Sequence, residues 1–351
     1  MRAWRKLVFS AITVVGLFVA LELLLRVIGF GQPVLVERMA FTFPIDEYNQ
    51  NSPEPFLQRD AELFWKPKAN VVGHNSMGFY GPEFSEAKDS SVFRIVCLGD
   101  SCTHFGPVSY PDILRAVLDA KAPGRFEVIN AGVIGYTSYQ GMKLLDTQVI
   151  KWSPDLVIAY FGWNDHWLAR GVDDKQQSAE QPSGLLRLLS EIRVFQLASL
   201  VTSGAEGNRV SKMRVEPDDY HDNLTQMQRR CRQGGAEMWL VTAPHAMDLG
   251  VPPYLLSSGE VSSLETLIPL HEQYNEIVRR VGQQTQAAVI DVATEMDGMN
   301  KEALFIEDHI HLSDLGKQYL VSRLLQTLAE QGILETPASE PAESQVDVEA
   351  P

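Results

Sequence analysis

The chain of 351 residues carries 30 Lys+Arg against 45 Asp+Glu, a formal net charge of −15, with 45% hydrophobic and 21% charged residues. That balance excludes wholesale disorder, and the acidic excess argues against nucleic acid, whose binding relies on basic surface. Three cysteines exclude a disulfide scaffold.

Residues 1–30 have the opposite charge balance. Arg2, Arg5, Lys6 and Arg26 face Glu22 alone, a net +3, which leaves −18 on the other 321 residues. From Leu7 to Phe30 the segment is almost wholly apolar, and as a helix it would reach roughly 36 Å, enough for a bilayer core. Its cationic end precedes the span, so the body is expected on the outer side, periplasmic or extracellular. Glu22 and Arg26 lie four apart and can pair on one helix face, or sit at the outer interface where Arg snorkels. The rival is a cleaved signal peptide with a secreted body, and a buried soluble helix comes third. An uncleaved anchor is favoured because no small-x-small site follows and apolar residues resume beyond Glu22.

Residues 31–91 are Pro-rich and irregular. They hold short apolar patches such as Leu63-Phe-Trp65 and turn signals in Asn75-Ser-Met-Gly78-Phe-Tyr-Gly-Pro82. With so little periodicity they read as an N-terminal extension packed on the main body. From residue 92 onward the pattern becomes regular. Strands are predicted at Val92–Leu98, Phe126–Asn130, Asp155–Phe161, Glu237–Thr242 and Ala287–Asp291, several nearly continuous in apolar residues, as in strands buried on both faces. Between them lie amphipathic stretches at Tyr110–Ala122, Ser138–Trp152, Asp218–Gly234 and Leu264–Gly282. A last helix is expected from an N-cap at Ser313 to near Gly332. This alternation implies an α/β domain over 92–334, a parallel sheet with helices on both faces. Residues 166–216 break the rhythm and read as an insertion over one sheet edge, possible lid material, with Leu185–Val201 helical. The acidic Pro/Ala/Ser-rich tail 335–351 reads as disordered.

In such a sheet, active residues collect beyond the carboxyl ends of the strands, and four motifs fall there. Gly99-Asp100-Ser101 follows the first strand and presents a serine where strand gives way to helix. Asn130-Ala-Gly132-Val-Ile-Gly135 follows the second, its glycines able to bring a backbone N–H close to a ligand. Gly162-Trp163-Asn164-Asp165 follows the third, with an uncharged carboxamide donor suited to an oxyanion. Asp308-His309-Ile310-His311 precedes the last helix, and the aspartate can orient the imidazole and leave Nε2 as a base. Each motif alone also fits an ordinary turn or helix cap. Metal ligation by Asp308, His309 and His311 is the weaker alternative, since nothing elsewhere completes a ligand set. The argument lies in the order of the four.

With these four blocks the chain resembles the SGNH/GDSL hydrolase superfamily across roughly residues 92–334. The resemblance implies a flavodoxin-like three-layer α/β/α sandwich with a mainly parallel five-stranded sheet. It implies Ser101 as nucleophile, His311 as base and Asp308 as its orienter. The Ser101 and Gly132 N–H groups and the Asn164 side chain would form the oxyanion hole. Cys102 and His104 depart from the usual pattern and, with Trp163 and His245, are pocket candidates. The anchor and the Asn75-Ser-Met-Gly78-Phe segment also resemble bacterial membrane-anchored members, although Tyr80 stands where such members carry Arg.

The expected activity is hydrolysis of short-chain or acetyl carboxylic esters, with no cofactor and no metal. An acylated glycan is the substrate envisaged. The alternatives are O-acyl transfer to an envelope glycan and a non-catalytic binding module. Superfamily members devoted to envelope acetyl transfer often show Asp-x-His, so the Asp-x-x-His spacing here favours hydrolysis.

Overall fold

The computed structural model describes residues 2–30, 45–71, 73–104, 106, 108–169, 173–177, 184–202 and 212–335. The tail expected to be disordered lies, from residue 336, outside the described residues, as do 31–44 and parts of the insertion. The first helix, α1 (Arg2–Val27), is long and apolar enough to cross a bilayer. From Trp4 to Val27 its apolar side chains are exposed except Leu25, which is 5% exposed. Glu22 and Arg26 pair at 2.7 Å, as their four-residue spacing predicts.

The region read as irregular contains structure that the sequence reading missed. A helical turn (Ile45–Gln50) precedes an antiparallel hairpin of β1 (Leu57–Asp60) and β2 (Phe64–Pro67). Four-residue strands are too short to show alternation. The turn is set by Asp60, whose carboxylate accepts the Glu62 and Leu63 N–H groups at 3.0 Å. Trp65 anchors the hairpin to the body. Its ring is fully buried, its Nε1 donates to the Ile134 carbonyl at 2.9 Å, and its own carbonyl accepts from the Tyr136 hydroxyl at 2.7 Å.

The main sheet has five strands: β3 (Phe93–Gly99), β4 (Phe126–Gly132), β5 (Leu156–Tyr160), β6 (Glu237–Val241) and β7 (Val289–Ile290). Their order is β4-β3-β5-β6-β7 and every pairing is parallel. Strand alternation divides the core in two. Val96 and Leu98 point into a cluster with α4 (Ser138–Thr147), α7 (Pro217–Gln233) and α8 (Leu264–Thr285). Ile95 and Cys97 point into the other cluster, with α3 (Tyr110–Lys121) and α9 (Asp314–Glu330). The result is a three-layer α/β/α arrangement. The stretch expected as one helix over 138–152 breaks at Gln148 and finishes as a tight 3₁₀ turn, Val149–Trp152. Between β5 and α7 the described part of the insertion forms α5 (Gly184–Ser190) and α6 (Arg193–Thr202).

This strand order fixes where a site can form. From β3 the chain first steps to β4 on one side, then crosses to β5 on the other. The crevice between the carboxyl ends of β3 and β5 is therefore the topological switch point, where open α/β sheets bind ligands.

Candidate active site

At the end of β3 the backbone must turn where no side chain fits. A Cβ on Gly99 would meet Thr103 Oγ1 at 2.1 Å and the Tyr160 carbonyl at 2.6 Å. After Asp100 the chain enters the four-residue helix α2 (Ser101–His104), with Ser101 at its first position. There the Ser101 N–H has no acceptor among the described residues, whereas the Thr103 and His104 N–H groups go to the Asp100 carbonyl.

On the far side of the crevice, residues 305–312 form a tight loop pinned by a bridge between Phe305 and Leu312. Asp308 shapes it: Oδ1 accepts the Ile310 and His311 N–H groups at 2.9 Å each, while Oδ2 accepts from His311 Nδ1 at 2.6 Å. The three-residue spacing lets one carboxylate cap the turn and hold the imidazole. Burial alone would raise the Asp308 carboxyl, but the His311 hydrogen bond and charge and the two backbone donors outweigh it and hold it below the usual carboxylate range. An ionised carboxylate can only accept, so Nδ1 carries the proton and Nε2 is left as acceptor. The Ser101 hydroxyl reaches that Nε2 at 2.8 Å. Three groups separated by up to 210 positions in the chain thus meet at one sheet margin.

Ser101 and His311 open onto a cavity of about 240 Å³, which is also lined by Gly135, Asn164, Trp163, Trp167, Tyr48 and Tyr254. Asn164 is held by Asp100, whose Oδ2 accepts one Nδ2 hydrogen at 3.0 Å while Oδ1 accepts the Cys102 N–H at 2.8 Å. Burial pushes the Asp100 carboxyl up to about 6, against the opposing pull of those donors and of His311. The second amide hydrogen of Asn164, a residue lining the cavity, has no acceptor among the described residues.

Gly132 needs a correction. Its N–H is donated to Asn130 Oδ1 at 2.9 Å, and it is packed so tightly that a Cβ would meet the His104 nitrogen at 2.6 Å. It does not line the cavity. Gly135 does, three residues on in the same motif, at a positive φ of 78° that favours glycine. Its N–H has no acceptor among the described residues, because the turn is closed by Tyr136 N–H on the Val133 carbonyl at 3.1 Å.

Of the four pocket candidates, Trp163 lines the cavity and stacks on His271 at 3.8 Å. The other three lie elsewhere. His104 is a half-buried ring stacked on Phe56 at 6.4 Å and met edge-on by His74 and Tyr80, so it ties the N-terminal extension to the nucleophile helix. Cys102 packs into the core beside Tyr160, its thiol raised far above its ordinary value by burial. His245 Nδ1 accepts from the Met247 N–H at 3.1 Å. His309 turns away from His311 and bonds the Gly250 carbonyl. Among the described residues no cluster of three or more His, Cys, Asp or Glu is placed to hold a metal.

Arg214, from the insertion, was not flagged by the sequence. It is 2% exposed, pairs with Asp174 at 2.9 Å, and donates to the Gly135 carbonyl at 2.8 Å. No local pattern announces such a residue.

The sequence profile of the GDSL-like lipase/acylhydrolase family matches residues 97–319. Among solved structures, a lipase/acylhydrolase from Enterococcus faecalis is 19% identical, with 70% of this chain and 99% of that one covered and a TM-score of 0.47. An α/β hydrolase from the metagenome of Lake Arreo, Spain, is 21% identical over 69% of this chain and 96% of its own, at 0.44. A variant of an acetyl xylan esterase from Geobacillus stearothermophilus is 16% identical over 73% and 100%, at 0.45. A comparison with curated proteins returned no match.

Proposed function

The chain belongs to the GDSL-like lipase/acylhydrolase family and is an ester-hydrolysing serine hydrolase, and from this premise we propose that Ser101, His311 and Asp308 are its nucleophile, base and orienting carboxylate. The observation that carries the reading is the unbroken relay of 2.8 Å from Ser101 Oγ to His311 Nε2 and 2.6 Å from Nδ1 to Asp308. His311 takes the Ser101 proton as Oγ attacks the ester carbonyl. The oxyanion then lies among three donors: the N–H groups of Ser101 and Gly135 and the free amide hydrogen of Asn164. Collapse expels the alkoxide, which His311 protonates. Water, deprotonated by the same imidazole, then attacks the acyl-enzyme and releases the acid and the free serine. Asp308 stays ionised throughout and stabilises the imidazolium.

The cavity size supports a short acyl group, acetyl above all. The aromatic rings of Tyr48, Trp163, Trp167 and Tyr254 supply flat faces suited to the alcohol half, which we assign to a sugar. We place the catalytic body on the outer side of a membrane crossed by α1.

The test is a p-nitrophenyl ester series from acetate to octanoate on the full chain in detergent, beside its Ser101→Ala variant. Turnover is expected to fall with acyl length and to vanish in the variant, to within the 10³–10⁴-fold residual that binding alone supplies over water. Undiminished hydrolysis by Ser101→Ala would overturn the assignment. With an acetylated glycan donor and a free glycan acceptor, free acid is expected to exceed acylated acceptor, and the reverse would turn the reading towards transfer.

A further inference from the structure

The sequence suggests that Glu22 and Arg26 pair, and they do, but both also reach beyond α1. Glu22 Oε2 accepts the Val194 N–H at 2.9 Å, at the first turn of α6, and Arg26 Nη2 donates to the Glu191 carbonyl at 3.2 Å, just past the end of α5. An acid thus caps a helix N-terminus and a base meets one carbonyl just beyond a helix C-terminus, each complementary to the local dipole. Leu25, between them, is the buried residue of α1. One turn of α1 therefore clamps the elbow of the α5–α6 hairpin.

The depth of that clamp matters. If the hydrocarbon core begins at Leu7, its roughly 20 residues end near Arg26. The α5–α6 elbow is therefore held at the boundary between acyl chains and headgroups. The hairpin also carries exposed apolar side chains that the fold leaves uncovered. Leu185 and Leu188 are 68% and 67% exposed, three apart on one face of α5, and Val201 on α6 is 72% exposed. In charge the segment Gly184–Thr202 stands apart from an acidic body, with two arginines against one glutamate. Exposed leucines, arginines in place of acids, and attachment at the interface level are what a helix pair lying in a membrane surface needs. At the elbow the Glu22 and Arg26 side chains satisfy the Val194 N–H and the Glu191 carbonyl, so these groups are paired at that depth.

We propose that the α5–α6 hairpin is a second membrane contact, seated in the outer leaflet of a phospholipid bilayer beside α1. This rests on reading α1 as an anchor. The hairpin then fixes the tilt of the hydrolase body above the lipid, through an insertion whose two flanking segments, at Trp167, Leu168 and Arg214, wall the cavity.

The test uses the full chain in phosphatidylcholine/phosphatidylglycerol vesicles with an environment-sensitive fluorophore on Leu188→Cys. The native cysteines are buried or partly buried. Val15→Cys in α1 and the exposed Met299→Cys on the body serve as references, and retained ester hydrolysis certifies each labelled protein. The label at 188 is expected to emit to the blue and to lose most of its emission when the vesicles carry brominated acyl chains. The label at 15 should be quenched likewise, and that at 299 not at all. A water-like label at 188 beside a quenched one at 15 would overturn the hairpin contact and leave the anchor intact. A blue-shifted label at 188 indifferent to bromine would mean that protein, a second copy or another segment of the chain, covers the face, and would also overturn it. An unquenched label at 15 would remove the anchor and the inference together.

Discussion

Asn164 shows how much a single side chain is asked to do. One amide hydrogen is committed to Asp100, which fixes the rotamer, and in the proposed mechanism the other meets the oxyanion. Asn164→Ala is expected to lower kcat on an activated ester by about 10²–10³-fold, the range for removing one oxyanion donor, with KM little changed. Near-wild-type kcat would remove Asn164 from the oxyanion hole. The sequence points to Asn164 because a carboxamide at a strand end is a chemical signal. It points to Gly132, whose N–H is already donated, because a backbone N–H has no such signal. Gly132 and Gly135 are the same residue type, and which N–H is free depends on what the neighbours accept: Asn130 takes that of Gly132, and the turn leaves that of Gly135 open.

Elements show a different division. Long strands and helices with clear apolar periodicity are visible in the sequence, whereas the β1–β2 hairpin is not, because four residues do not make a period. The turn after β4 is braced from two sides by segments of this less legible kind. Trp65 of the hairpin donates to Ile134, and Arg214 of the insertion donates to Gly135. Arg214 is the more exacting of the two, since Asp174, its partner, is fully buried. Arg214→Met is therefore expected to cost about 3–5 kcal/mol of stability by leaving that buried charge unpaired, with the Thr137 hydroxyl its remaining side-chain donor among the described residues, read as a lower urea midpoint. Below the transition the variant should also lose kcat as the Gly135 turn loosens. A variant with wild-type stability would mean that Asp174 finds other donors.

At the scale of the whole molecule, the buried ionisable groups set the response to acid. Burial lowers His104 to about 4 and His166 to about 3, with His74, His245 and His271 also lowered. Burial raises Asp100 to about 6 and Asp165 to about 7. The two sets oppose each other. A lowered imidazole refuses below pH 6.5 a proton that the unfolded chain accepts, so its stability contribution is lost as pH falls towards 4. A raised carboxyl keeps its proton longer than the unfolded chain, so its contribution is lost as pH rises from 3.8 through its folded value. Five imidazoles outweigh two carboxyls, and stability is expected to fall from pH 6.5 to 4. His104→Phe, whose ring can keep the stack on Phe56, should flatten that fall by up to about 1.4 kcal/mol per pH unit, one proton's share, in urea titrations across the window. An unchanged slope would mean that His104 is not buried neutral.

The sequence by itself determined the alternation of strand and helix, the order of four strand-end motifs, the apolar first helix and its Glu22–Arg26 pair. All of these are local: periodicity, residue chemistry and spacing within a turn or two. The tertiary structure alone decided which glycine offers its N–H, where His104 points, that Arg214 supports the cavity wall, and that α1 grips the insertion. The glycine choice turns on the nearby Asn130 carboxamide and the Val133–Tyr136 turn, while the other outcomes depend on neighbours tens to hundreds of residues away, brought together by packing and by the pairing of buried polar groups, and no short stretch of sequence encodes that pairing.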